Sequence, residues 1–296
     1  MTRFLLCVIF VIFTLITTYA DNRALIVGIG QYMPKSGWIS INGDSDIDLI
    51  VPALKNNGFT KDNIKTLRNS EATKNNIKKE LITLANNSKT GDIVYFHFSG
   101  HGQRVVDYNK DEKKGMFDQS IVPYDAFFDS RNGYNGENHL VDDELSSLLN
   151  AIKIKLGSTG KLIVVVDACY SQGIDKGGEW EELNYDEEII FHPRGSSDKF
   201  IPKDSTWLKS IKRPNEFHRG SIMYVISASR SSEMNFQFRE PKTNKIYGSL
   251  SYCIYTLLKS KVSFDDWENY FNIKKSWKST NPKFFPYQTP SVKVVN

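Results

Sequence analysis

Residues 92–102 read DIVYFHFSGHG. An apolar run without regular polar alternation is the pattern of a strand covered on both faces, as in a parallel sheet. This one ends by presenting a titratable imidazole, His101, between two glycines. Residues 161–173, KLIVVVDACYSQG, make the same move with a thiol, Cys169. Two buried strands, each delivering one reactive side chain at its carboxyl end, point to one active site.

The other segments supply layers. RALIVGI (23–29) is a further apolar strand. Residues 47–57 read as a helix stopped by Gly58, with Pro52 disturbing its first turn. NIKTL is a short strand, and Thr73 caps a helix with Ile77, Leu81 and Leu84 on one face. A polar loop follows the 92–98 strand. VDDELSSLLNAIKIKL is a helix with acids in its first turn, SIMYVISA a strand, and residues 248–260 a last helix. Alternating strands and helices give an α/β fold, a three-layer α-β-α sandwich. Such sheets carry their sites at the carboxyl ends of strands. Residues 171–220 break the pattern: rich in Gly, Glu, Lys, Ser and Pro, they read as a long functional or disordered loop.

Bulk properties exclude several classes. A net charge of +4, with Lys and Arg scattered, forms no basic stripe for nucleic acid. Residues 1–20 read as a signal peptide: Arg3, then an apolar core from Phe4 to Ile16, then Thr18-Tyr19-Ala20 as a small-x-small cleavage site. The run is shorter than the ~20 residues that span a bilayer. The expectation is an exported protein, periplasmic or secreted, with one domain over 21–296 and no stable membrane insertion after cleavage. Cys7 leaves with the signal. Cys169 and Cys253 remain, too few for a disulfide scaffold, and Cys253 sits in an apolar helical pattern as a core residue.

The chemistry follows from the strand ends. A thiol attacks as its thiolate, and a nearby imidazole holds or takes the proton. The oxyanion formed in acyl transfer needs N–H donors, which Gly102 and the Cys169 backbone would supply. Each residue alone reads as a core group; together on adjacent strands they read as a site. Other motifs are weaker. GIGQYM (28–33) has Met33 where a dinucleotide fingerprint needs glycine. DYNKDEKKGMFD (107–118) lacks the Gly and Glu of an EF-hand loop.

The blocks HFSGHG and VVVDACYSQG, with RALIVGIGQY before them and QTPSV at the end, resemble the caspase-like cysteine peptidases, nearest the metacaspase-type branch. Tyr170 and Gln172 depart from that pattern, giving CYSQG where many metacaspases have CHSGS. The resemblance implies a mostly parallel sheet of about six strands, Cys169 as nucleophile and His101 as general acid/base. It implies a substrate pocket at Asp46, Ser99 and Asp167. It also implies possible calcium activation at Asp118, Asp142 and Asp143, with Asp175 as a fourth acid. Acids opening a helix are equally explained by its dipole, and no cofactor is required for the chemistry itself.

Strand periodicity puts Asp167 on the face of Cys169, and Ser99 stands in the same relation to His101. Two enclosed carboxylates repel each other, and a guanidinium or ammonium relieves both. An Asp-selecting pocket would need convergent arginines, and Arg104 is the one Arg near either motif. The expectation is therefore an endopeptidase cutting proteins or peptides after Arg or Lys. The 171–220 loop would cover the cleft and be cut by the enzyme after Lys176, Lys199 or Lys203, since Arg213 precedes proline. Two alternatives stand beside this. One is a catalytically idle caspase-like domain that binds a protein partner; the other is a thiol phosphatase, which would want an Arg soon after Cys169.

Overall fold

A computed structural model describes residues 20–107, 109–110, 117–168, 183–185, 189–194, 199–211, 220–229, 235–272 and 288–296. The central sheet has six strands, numbered here in chain order: β1 (Asn22–Gly28), β2 (Ile64–Arg68), β3 (Ile93–Ser99), β4 (Lys161–Asp167), β5 (Ile222–Ser227) and β6 (Ser291–Val295). Their spatial order is β6-β5-β4-β3-β1-β2, all parallel except β6. The middle strands β1, β3 and β4 are buried on both faces, as their unbroken apolar runs require. The edge strands β2 and β6 carry exposed Lys65 and Lys293, charges that discourage further pairing.

Among the described residues five α-helices cover the sheet: α1 (Gly43–Lys55), α2 (Lys74–Asn87), α3 (Asp142–Leu156), α4 (Ser249–Lys259) and α5 (Trp267–Asn272). Leu25, Phe96 and Val164 pack with Ile77 and Leu81 of α2 and Leu149 and Ile152 of α3. Their strand neighbours Ile26, Tyr95 and Val165 pack with Ile47 and Ile50 of α1, Leu250 and Ile254 of α4, and Trp267 of α5. The period of two thus divides each strand between two cores. The result is the expected three-layer sandwich.

Thr73 caps α2 as expected, its side chain accepting from the Asn76 N–H at 3.3 Å. Three local expectations change. Helix α1 begins at Gly43 rather than near residue 47 and carries Pro52 inside it. Burial of Ile47, Ile50 and Leu54 offsets the hydrogen bond that proline removes. Gly43 permits the early start, because a Cβ there would lie 2.6 Å from the carbonyl oxygens of both Ile29 and Ser99. Helix α1 therefore abuts the carboxyl ends of β1 and β3.

The polar loop after β3 is instead an antiparallel ribbon, Gly102–Val106 against Phe117–Ile121. Strands at Leu140–Val141 and Lys199–Phe200 extend it to four. Within 171–220, Leu183–Tyr185 and Ile189–Arg194 join Asn235–Arg239 and Ile246–Gly248 in another sheet. Phe200 is buried with ring centroids 4.8 Å from His139 and 5.4 Å from Tyr134. Trp207 Nε1 donates to the Asn135 carbonyl at 2.6 Å. Part of the expected loop is therefore anchored structure, built on sparse aromatic contacts rather than periodic ones. Among the described residues no helix is long and apolar enough to cross a membrane. Residues 1–19, Cys169, Asp175, Lys176 and Arg213 lie outside the described residues.

Candidate active site

Gly100 ends the period of β3. A Cβ there would lie 2.8 Å from Phe98 Cζ and 3.0 Å from the Tyr32 hydroxyl, so only glycine lets the chain turn so tightly. His101 follows, buried and enclosed by aromatic rings. Its imidazole stacks on Trp38 (4.8 Å, 25°) and lies 5.1 Å from Tyr32, whose hydroxyl accepts from the His101 backbone N–H at 2.7 Å. Nε2 lies 2.9 Å from the Ile39 carbonyl. A carbonyl only accepts, so Nε2 carries a proton and Nδ1 is the nitrogen that exchanges one in the neutral ring. A base oriented by a third group is the arrangement that activates a nucleophile.

Gly102 opens the ribbon opposite Ile121. The Val122 N–H donates to the His101 carbonyl at 3.0 Å. That bond makes Gly102–Ile121 a non-hydrogen-bonded pair, which turns the Gly102 N–H away from the 117–121 strand. The next residue, Gln103, donates from its amide to the Phe128 carbonyl (3.0 Å) and accepts from His139 Nε2 (2.8 Å). His139 Nδ1 in turn accepts from the Tyr134 hydroxyl at 2.9 Å. Burial pushes His139 down to about 3, so this ring is neutral.

The three expected pocket residues converge. Asp46, in the first turn of α1, Ser99 at the end of β3 and Asp167 at the end of β4 are each fully buried, and Ser99 pairs in register with Asp167. The Ser99 hydroxyl donates to Asp46 Oδ2 at 2.5 Å, and the Gly248 N–H to Oδ1 at 3.0 Å. Asp167 accepts from Asn235 Nδ2 at 2.6 Å, from the Ser251 N–H at 2.8 Å and from the Ser251 hydroxyl at 2.7 Å. Ser251 lies in the first turn of α4, so the carboxylate also meets the positive end of that helix. These donors fix the orientation of the two carboxylates.

Asp118 is buried on the 117–121 strand, and Asp142 and Asp143 open α3. The pairing of Ser120 with Val141 sets the start of α3 beside the 117–121 strand. Asp143 accepts from Asn109 Nδ2 at 2.6 Å. Among the described residues no three His, Cys, Asp or Glu side chains are grouped to hold a metal.

Sequence reasoning missed Tyr32, Trp38, Ile39, Gly248, Asn235 and Ser251, all distant in sequence from the residues they hold. Trp38, the one aromatic residue in SGWIS (36–40), was the nearest thing to a signal.

A family model described as metacaspase, peptidase C14 domain, matches residues 22–175. Metacaspase-1 of Plasmodium falciparum is 34% identical over 256 residues, covering 82% of this chain and 35% of that one. Metacaspase-3 of Arabidopsis thaliana is 33% identical over 162 residues, covering 52% of this chain and 40% of the other. The chain therefore spans well under half the length of these relatives. A Geobacter sulfurreducens crystal structure superposes with a TM-score of 0.63 at 20% identity, covering 93% of both chains. Caspase-1 from Spodoptera frugiperda gives 0.52 at 13% identity, covering 93% of this chain and 86% of its own. Both likenesses are of fold.

Proposed function

The chain belongs to the metacaspase peptidase C14 family, and from that membership and the strand-end geometry we propose that it is a cysteine endopeptidase cutting proteins or peptides after Arg or Lys. Cys169 is the nucleophile. His101 moves the proton through Nδ1, held in place by the Ile39 carbonyl and the Trp38 ring. The Gly102 N–H serves the oxyanion.

The observation that carries the specificity is the pair Asp46, in the first turn of α1, and Asp167, at the end of β4, two fully buried carboxylates linked through Ser99, which bonds Asp46 and pairs in register with Asp167. Asn235 gives its amide nitrogen to Asp167, and its Oδ1 and Ser249 Oγ are buried with no hydrogen-bond partner among the described residues. A guanidinium brings positive charge to the carboxylates and N–H donors to these two oxygens. Treatment with a peptidyl ketone ending in Arg, followed by peptide mass spectrometry, tests the reading. The adduct should fall on Cys169, whereas an intact thiol, or equal labelling by an Asp ketone, contradicts it.

Three lesser proposals stand beside this one. Carboxylates are the donors a hard cation takes, so calcium would be held by Asp118, Asp142 and Asp143, with a further ligand such as Asp175. Chelator and Asp118→Ala should then lower activity alike; equal rates in chelator and in calcium would return these acids to helix capping. Export would place the mature start at Asp21, whose backbone N already lies 2.9 Å from Asp92 Oδ1 and would become an ammonium on that carboxylate. Self-cleavage best suits Lys203, exposed between the Phe200 and Trp207 anchors, while Lys199 is paired in a strand. Intact mass checks both: a chain beginning before Asp21, or identical masses for wild type and Cys169→Ala, would remove them.

A further inference from the structure

Tyr95, His97 and Ser99 share the α1/α4 face of β3, and a line of buried hydrogen bonds runs along them toward the pocket. The Tyr95 hydroxyl lies 3.0 Å from His97 Nδ1, and His97 Nε2 lies 3.0 Å from Ser251 Oγ. Ser251 Oγ then donates to Asp167 Oδ2 at 2.7 Å. The far end sets the direction. An ionised carboxylate only accepts, so the one hydroxyl proton of Ser251 points at Asp167, and Ser251 must accept from His97. His97 therefore carries a proton on Nε2, and in its neutral form its Nδ1 accepts from Tyr95. Burial raises the Tyr95 phenol well above its ordinary value, so that hydroxyl keeps its proton to give.

We propose that His97 is a positioning residue for substrate selection: by occupying the acceptor side of Ser251 it locks that hydroxyl onto Asp167 and holds the carboxylate plane for a fork of guanidinium donors. This rests on the reading of Asp46 and Asp167 as the pocket for a basic side chain. A planar guanidinium needs both carboxylates correctly turned, whereas a compact ammonium with rotatable donors needs only their charge. Loss of the lock should therefore penalise Arg more than Lys.

The test is kcat/KM on two fluorogenic peptides differing only in Arg or Lys before the cut. Wild type is compared with Ser251→Ala, His97→Leu and His97→Gln, which keeps a donor toward Ser251. Iodoacetamide alkylation of Cys169 is followed alongside. Ser251→Ala and His97→Leu should lower the Arg-to-Lys ratio about tenfold, the worth of one charge-assisted hydrogen bond. His97→Gln should hold the ratio within about twofold, and alkylation should change no more than that. Parallel losses for both peptides, an unchanged ratio, or a Gln variant no better than Leu overturns the proposal while leaving the pocket reading standing. Wild type that cuts after neither residue overturns the pocket reading and this proposal with it. If His97→Leu does not fold, His97→Ala takes its place in the comparison with His97→Gln.

Discussion

The two halves of the strand-end site are built with the same device and put to different uses. On the α1/α4 face, Tyr95 and His97 lead through Ser251 to a carboxylate, Asp167. On the α2/α3 face, Tyr134 and His139 lead through Gln103 to a backbone carbonyl, that of Phe128. Phe128 meets Trp38 edge-on at 5.1 Å, and Trp38 stacks on His101. One buried tyrosine–histidine pair therefore leads to the half proposed to recognise charge, the other to the half proposed to do the chemistry. The comparison teaches that a buried histidine hydrogen-bonded through both nitrogens is a spacer of defined direction, and its role is set by the group at the end of its line.

The sharpest way to break the comparison is to attack each half alone. His101→Ala should lower kcat for every peptide by about 100- to 10,000-fold, the usual range for general acid–base help. A loss confined to one substrate class would place His101 in recognition instead. Asp167→Asn should cost about 10- to 100-fold in kcat/KM for Arg peptides, from one charge-assisted interaction, with much less change in the alkylation rate of Cys169. Equal losses in both would erase the division between the halves.

The smallest effect concerns acid. His139 is held neutral with its pKa near 3, below the ordinary value of 6.5. Between those values the unfolded chain binds a proton that the folded one does not, so stability falls as pH drops below about 6.5. By pH 5 the loss is about 2 kcal/mol, and His139→Gln should remove much of that slope in thermal melts taken at stepped pH. A slope unchanged in the variant would place the acid sensitivity elsewhere.

The legible parts of this molecule were those governed by short-range pattern. The unbroken runs of β3 and β4 announced central parallel strands, and a period of two brought Ser99 and Asp167 to one face. Asp46 was marked by the family resemblance alone, and its helix abuts the carboxyl ends of β1 and β3. What stayed hidden depends on partners far away in the chain. Pro52 argued locally against the helix that packing on the sheet maintains. Gln103 looked like loop until His139 and Phe128 satisfied it. Asn235 and Ser251 reach Asp167 across 68 and 84 residues, a separation over which no local pattern operates. His97 was visible as a polar residue inside an apolar strand, but its purpose lay in α4.

The account's central claim is that the carboxylates at the ends of α1's first turn and β4 choose a basic residue for a thiol at Cys169. It is tested most directly by two fluorogenic peptides that differ only in Arg or Asp before the cut, given to wild type and to Cys169→Ala. The account predicts faster release after Arg by wild type and none from the variant. Faster release after Asp, or turnover surviving in Cys169→Ala, would contradict it.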